Sequence, residues 1–210
     1  MSSIISHVYI GNILKEKYNL DNEFLYGSIL PDMLEKSSET QSRELTHYLR
    51  HGILYGTEGD FPDVERYINE NKYLLPKSKM LQGYLSHLIE DMLWFSVYLP
   101  KIASHPDDDT YILKKNNSTH SSSEFWKILY SDYSIMDKHL LNKSDINLKE
   151  LRTEFLQITE DENLKNTIKE YFKQFETNRK SLIFISKEVF EKYIKECVDK
   201  VSLVLDKLYR

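Results

Sequence analysis

The residues best suited to chemistry are seven histidines, four of which lie within the first 87 of the 210 residues. His87 and Asp91 form the sharpest pair, because a spacing of four places both side chains on one face of a helix. Gly83 lies one turn earlier, where a glycine lets another backbone or a ligand approach closely. An imidazole and a carboxylate within an apolar helix are costly to bury unless a divalent metal or a hydrogen bond between helices satisfies them. The spacing alone leaves both interpretations open.

His47 and His51 form a second pair with the same spacing, in a helix that the sequence predicts over residues 42–54. Two neutral imidazoles one turn apart could share a metal ion. Gly52 directly follows His51, which therefore belongs near the helix end, where a histidine interacts favourably with the last carbonyl groups. We predict a functional role for His47 and a structural or exposed position for His51.

Three further polar residues are weaker candidates. Asp32 follows Pro31 in the sequence GSILPD, where an aspartate could equally cap a helix. His7 is a lone histidine among apolar neighbours in the first predicted helix, and such a residue is more often a satisfied core histidine than a ligand. Asp132 lies in the middle of a later helix. An inward-facing carboxylate there needs a partner, either a metal or a group on another helix.

The elements that must position these residues are helices. The last glycine is Gly83 and the last proline is Pro106, so residues 107–210 contain neither. A β-rich fold needs a turn about every 8–12 residues, and this half of the chain carries almost no turn signals. The 105–123 segment reads as a polar loop. Apolar periodicity predicts helices over residues 3–18, 23–34 (broken at Pro31), 42–54, 63–71, 77–99, 122–141, from 148 onward, and as one bent or two separate helices over 165–209.

Composition excludes several classes of protein. The net charge is −5, and no basic stretch stands out, so capture of nucleic acid is not indicated. The single Cys197 excludes an internal disulfide and a cysteine-based zinc site. Residues 1–18 lack the basic and continuous apolar regions of a signal peptide, and no apolar run reaches the roughly 18 residues of a membrane span. We therefore expect a cytoplasmic protein with no integral membrane segment.

The chain resembles the zinc-dependent phospholipase C family in the order of its motifs. These are His7, GSILPD with Asp32, THY with His47, and GYLSHLIED with His87 and Asp91. The resemblance covers residues 1–140, with the clear motifs between residues 5 and 95, and is strongest to short bacterial members without a leader. It implies an all-α fold wrapped around a zinc cluster. Residues 1–140 would hold the site and residues 141–210 a helical scaffold, within a single domain spanning residues 1–210.

The resemblance also implies the ligands. Asp32, His47, His87 and Asp91 would surround one metal ion, and His7 would belong to a second that Asp91 bridges. Asp132 is a candidate additional ligand. Nitrogen and oxygen donors of this kind suit Zn²⁺, one or two ions, although they also suit Mn²⁺ or Fe²⁺. Asp32 would sit beside a metal-bound water and act as the general base of phosphoester hydrolysis.

The sequence departs from the secreted members of the family. Six residues precede His7, and none is the tryptophan with which those mature chains begin. The H-x-x-x-E pair for a further zinc has no clear counterpart, because His120 and Glu124 lie in a polar segment where Glu124 forms a capping box with Ser121. His105 is the next histidine after Asp91, and we assign it no metal role.

These observations predict a metal-dependent hydrolase of lipid or small-molecule phosphoesters. Two alternatives stay open. A non-catalytic helical metal-binding or structural protein would explain the missing ligands of the further zinc. An HD-type nucleotide phosphohydrolase would also use histidines and aspartates on helices, although its adjacent His-Asp doublet is absent from this chain. The sequence carries no signal for the oligomeric state.

Overall fold

The computed structural model describes residues 3–38, 40–172 and 181–209, and these residues form a mostly α-helical fold, as predicted. The α-helices are α1 Ile4–Tyr18, α2 Asn22–Ser37, α3 Arg43–Thr46, α4 Val64–Asn71, α5 Lys79–Leu93, α6 Leu99–Ile102, α7 Ser122–Asn142, α8 Leu148–Ile158, α9 Glu162–Tyr171 and α10 Lys187–Leu208. A π-helical turn, Trp94–Tyr98, joins α5 to α6. The strands are β1 Leu49–Leu54, β2 Thr57–Pro62, β3 Ala103–Asp107, β4 Thr110–Leu113 and β5 Thr119–Ser121.

Helices α2 and α5 cross at backbone contact, and two glycines make this crossing possible. A Cβ atom on Gly83 would lie 2.0 Å from the Phe24 carbonyl oxygen, and one on Gly27 would lie 2.0 Å from the Met80 carbonyl oxygen. Side chains at these positions would force the helices apart. The prediction that Gly83 admits another backbone is therefore confirmed. This crossing sets the distance between Asp32 on α2 and His87 and Asp91 on α5.

Helix α2 runs through Pro31 instead of breaking there, which corrects the predicted end of this helix. A proline inside a helix costs about 3 kcal/mol because it lacks an N–H donor and crowds the preceding turn. Packing against α5 offsets that cost, since Phe24, Leu25, Ile29 and Met33 of α2 are all buried. Asp32 consequently lies inside a helix and does not cap one.

The predicted helix over residues 42–54 is wrong, because α3 ends at Thr46 and an antiparallel hairpin, β1–β2, follows. Tyr48 has a positive φ of 53°, which terminates the helical turn. At the hairpin tip, Tyr55 and Gly56 both have positive φ, at 50° and 80°, as a two-residue hairpin turn requires. His51 is exposed on β1, as predicted. It does not lie one helical turn from His47, because no helix joins the two residues.

The predicted polar loop over 105–123 contains a three-stranded antiparallel sheet, β3–β4–β5. Its inward residues, Tyr111 and Leu113, are buried against Phe125 of α7. Helix α7 begins after Ser121, whose hydroxyl accepts a hydrogen bond from the Glu124 N–H, as the capping box predicts. The strands were missed because their short alternation lies among charged and polar residues.

The C-terminal half closes the core around the site-bearing helices. Helix α10 packs on α1 and α5, and Phe190, Tyr193, Ile194 and Cys197 of α10 are buried. The sequence predicts one bent helix or two separate helices over residues 165–209, and two are observed, α9 and α10. Residues 173–180 between them lie outside the described part. Among the described residues, no helix has both the length and the apolar character to cross a bilayer.

Candidate metal centre

Five of the six candidate residues meet in the interior. His7 comes from α1, Asp32 from α2, His47 from the residue after α3, and His87 and Asp91 from α5. Each is at most 1% exposed. Buried ionisable side chains that are this close need partners or a metal ion. Helices α1, α2 and α5, together with the turn after α3, therefore bring these five residues to one place.

Two overlapping groups in this cluster could each hold a metal ion. One consists of His7, His87 and Asp91, and the other of Asp32, His47 and His87, with the ligand atoms of each group within 4.8 Å of one another. Asp91 faces both groups: its Oδ1 lies 3.7 Å from His7 Nε2, and its Oδ2 lies 3.8 Å from both His47 Nε2 and His87 Nε2. The two oxygens of Asp91 therefore face different histidines of the cluster, Oδ1 toward His7 and Oδ2 toward His47 and His87.

His87 is held in the orientation of a ligand. Its Nδ1 donates to the Ser28 carbonyl oxygen over 2.8 Å, an interaction that the Gly27–Gly83 crossing makes possible. This hydrogen bond leaves Nε2 directed at the cluster, where it is buried and has no hydrogen-bond partner in the described part of the chain. Asp32 Oδ2 is also buried without a partner there. Two such atoms at one site, a ring nitrogen and a carboxylate oxygen that can both ligate a metal, fit a divalent ion, because buried polar atoms are otherwise hydrogen-bonded.

Glu90 orients His7, and sequence reasoning missed it. His7 Nδ1 lies 2.7 Å from Glu90 Oε2, and the Ser86 hydroxyl donates to Glu90 Oε1 over 2.7 Å. Burial raises the pKa of Glu90 well above its usual range, although the Ser86 hydrogen bond opposes this shift. A carboxylate behind an imidazole fixes the ring so that its other nitrogen faces the metal. The sequence signal was a second acid directly before Asp91, three residues after His87.

His47 is positioned by its neighbours on α3 and α2. Its Nδ1 lies 2.9 Å from the Thr46 hydroxyl, and its Nε2 lies 3.3 Å from Asp32 Oδ1. Tyr84 fixes the same turn by donating its hydroxyl proton to the Thr46 carbonyl oxygen. His47 Nε2 is therefore directed at the same space as Asp32 and His87.

Protonation in the cluster suits metal binding. Burial lowers the pKa of His87 to about 3 and also lowers the pKa of His7, so His87 is a neutral imidazole at physiological pH. Burial alone would raise the pKa of Asp32, but the hydrogen bond with His47 and the nearby His87 and His7 lower it below its usual range. Neutral imidazoles and ionised carboxylates are the forms that ligate divalent metals.

Arg43 is a second residue that sequence reasoning missed. Its Nη2 lies 2.9 Å from Asp91 Oδ2, and its Nη1 lies 3.2 Å from Glu35 Oε2. It is the N-terminal residue of α3, four residues before His47, so both project toward the cluster. Arg43 therefore balances part of the negative charge that the site concentrates.

Asp132 does not belong to either metal-capable group of the described residues, which corrects the metal role suggested for it. Its carboxylate accepts hydrogen bonds from the backbone N–H groups of residues 183–185 at 2.6–3.1 Å. The partner that a buried carboxylate needs is thus the segment before α10. The sequence placed Asp132 inward correctly, but its partner lies about fifty residues further along the chain.

We expect Asp132→Ala to lower the free energy of unfolding by about 2–4 kcal/mol, because buried N–H groups lose a charged acceptor. The zinc content should not change. Urea denaturation and metal analysis check this, with Asp145→Ala, an exposed aspartate, as the control, expected within about 0.5 kcal/mol of the unmodified protein. Loss of zinc at unchanged stability would restore the metal role.

The remaining histidines lie outside the cluster. His51 is exposed on β1, with Asp60 Oδ1 at 3.0 Å and Glu58 Oε1 at 3.5 Å, and these carboxylates raise its pKa. His105 is exposed and stacks on Tyr111, and His120 Nδ1 lies 3.3 Å from Glu124 Oε2 at the start of α7. None of these residues joins a metal-capable group of the described residues.

A cavity of about 450 Å³ lies between the β1–β2 hairpin, the π-helical turn and the three-stranded sheet. Phe95 lines it together with Phe61, Tyr111 and Trp126, and the Phe95 ring centre lies 5.6 Å from the guanidinium carbon of Arg43. The neighbouring Trp94 instead packs between Tyr133 and Tyr193 in the core. Of the two aromatic residues that follow Asp91, only Phe95 is therefore available to a ligand.

Comparison with known proteins agrees with this centre. No curated protein and no solved structure gives a significant match. The family model described as zinc dependent phospholipase C, however, matches residues 3–201, nearly the whole chain. The match extends well beyond residues 1–140, so the C-terminal helices are part of the family's fold. This match and the buried histidine–aspartate groups support zinc as the cofactor. The chain belongs to the zinc-dependent phospholipase C family.

Proposed function

We propose that this protein hydrolyses phosphoester bonds of the phospholipid type, using one or two zinc ions held by His7, Asp32, His47, His87 and Asp91. The observation that carries the proposal is the buried cluster in which His87 Nε2 and Asp32 Oδ2 have no hydrogen-bond partner in the described part of the chain. A purely structural His–Asp contact would satisfy these atoms. The family match supports a lipid phosphoester as the substrate class.

The chain's own residues have separate tasks in this proposal. His87 and His47 would ligate through Nε2, because Ser28 and Thr46 contact their Nδ1 atoms. Asp32 would help to hold the metal, and its carboxylate would accept the proton of the attacking water. When bound, zinc lowers the pKa of that water and neutralises charge on the phosphate. Asp32 would then pass this proton to the leaving group, which restores the carboxylate for the next turnover.

The test combines metal analysis with turnover. We expect purified protein to contain about one or two zinc ions per chain, as two overlapping ligand groups allow. It should hydrolyse a short-chain phosphatidylcholine or bis-p-nitrophenyl phosphate. Asp32→Asn should reduce the rate by about 10²–10⁴-fold, the usual contribution of a general base.

His51→Gln is the matched control, because this histidine is exposed on β1, outside the cluster, and its loss should leave the rate unchanged. Zinc binding without turnover on any phosphoester would favour the non-catalytic metal-binding alternative. A chain that binds neither zinc nor manganese would contradict the proposal entirely.

A further inference from the structure

Arg43 links the buried cluster to solvent. Its side chain is 29% exposed, whereas the carboxylate of Asp91, which it contacts at 2.9 Å, is completely buried. The guanidinium carbon lies 5.6 Å from the centre of the Phe95 ring, which forms the wall of the adjacent cavity. Arg43 therefore lies between the buried Asp91 carboxylate and Phe95, one of the residues that line the cavity.

The main contact of Arg43 conflicts with metal binding. It donates to Asp91 Oδ2, the same oxygen that faces His47 and His87. A divalent cation bound through Asp91 would repel the guanidinium and compete for this oxygen. With metal bound, Arg43 would keep Glu35 and the Phe95 face. It would lose Asp91 Oδ2 as an acceptor, and also His47 Nε2, which lies 3.3 Å from its Nη1. A charged guanidinium with free N–H donors requires another anion.

A phosphate group is the anion that suits this position. Glu35 is not a proposed metal ligand, so its negative charge would repel a phosphoester unless another cation offsets it, and Arg43 lies 3.2 Å from it. Lys36 is a poor alternative, because its ammonium lies 3.8 Å from the centre of the Tyr171 ring and contacts the Tyr171 hydroxyl. Arginine presents a planar set of donors that matches two phosphate oxygens.

We propose that Arg43 is the phosphate-binding residue of the substrate site and that it exchanges Asp91 for the substrate's phosphate once metal is bound. This inference rests on the proposed function, since it requires a metal-loaded site. It adds a residue outside the metal ligands that binds the reacting group directly. Phe95 holds the guanidinium plane from the cavity side.

The probe for this inference is inorganic phosphate, titrated into zinc-loaded protein from which excess metal has been removed. We expect Arg43→Ala to weaken phosphate binding by about 10- to 100-fold, the usual effect of losing hydrogen bonds to a charged group. Arg43→Lys should recover part of the affinity. Zinc affinity, measured without phosphate, should stay equal or increase, because a competing cation has been removed. A merely structural arginine would lower zinc affinity instead.

Arg66→Ala is the matched control: this arginine also lies over a tyrosine ring, at 4.9 Å from Tyr48, and pairs with a glutamate, Glu70. It should leave both affinities unchanged. Phosphate binding by Arg43→Ala within about threefold of the unmodified protein, at full zinc load, would overturn this inference and leave the proposed function standing. Reduced zinc affinity would also overturn it. Failure of the unmodified protein to bind zinc would overturn both.

Discussion

Replacing His87 by asparagine should remove zinc from the protein while leaving the apo fold nearly intact. Asparagine places its amide nitrogen near the position of imidazole Nδ1, so it can still donate to the Ser28 carbonyl oxygen. It has no atom in the place of Nε2, the donor that both metal-capable groups share. We expect zinc affinity to fall by more than about 100-fold, beyond the effect of changing an outer-shell partner.

The control is His87→Ala, which loses the ligand and the hydrogen bond together. Both variants should lose zinc, but only His87→Ala should also lower the apo stability, by about 1–3 kcal/mol for an unsatisfied carbonyl and a cavity. At free zinc 1,000 times the Kd for zinc, bound zinc should raise the free energy of unfolding of the unmodified protein by about 4 kcal/mol. A chelator should remove this gain and should not change the stability of either variant. Unchanged zinc affinity in His87→Asn would show that His87 is not a ligand.

Replacing Gly83 by alanine should destabilise the protein by about 3 kcal/mol or more, because the new methyl group meets the Phe24 carbonyl oxygen of α2. The sign of this effect is decisive. Helix propensity alone predicts the opposite, a gain of about 1 kcal/mol for alanine over glycine inside a helix. Gly83 therefore lowers the local stability of α5 but allows α2 and α5 to cross closely.

Gly52→Ala is the matched control for Gly83→Ala, since a Cβ atom at Gly52 has no neighbour within 4 Å in the described structure. Its free energy of unfolding should stay within about 0.5 kcal/mol of the unmodified protein. Urea denaturation measures both variants. An alanine at position 83 that stabilised the protein would disprove the backbone contact, and with it the reason that Ser28 can hold His87.

The parts of the site that the sequence predicted are those encoded at short range. His87, Asp91 and Gly83 repeat along one helix, so periodicity alone places them on a common face. Asp32 required the resemblance to a family, because nothing local shows that α2 converges on α5. His47 was singled out by its spacing from His51, although the helix predicted for that pair is wrong. The ligand roles of these residues are still predictions, to be tested by the variants described above.

The errors arose where distant residues decide the structure. Asp132 needed a partner, but backbone N–H groups about fifty residues away provide it, and no local pattern carries that information. Arg43 and Glu90 escaped notice because charged residues on helices usually face solvent. The hairpin over residues 49–62 was missed because the four-residue spacing of His47 and His51 is also typical of a helix. Tyr55-Gly56 marks the tight turn that the sequence analysis did not use.

The π-helical turn after Asp91 sets where Phe95 lies relative to the metal cluster. The five clustered residues all precede residue 94, whereas Phe95 lies within the turn, Trp94–Tyr98, and lines the cavity. An α-helix advances by about 100° per residue. Removing the extra residue of the wide turn would therefore swing Phe95 away from Arg43 and from the cavity, while Asp91 one turn earlier keeps its place. A one-residue deletion here should alter the shape of the cavity before it alters the metal cluster.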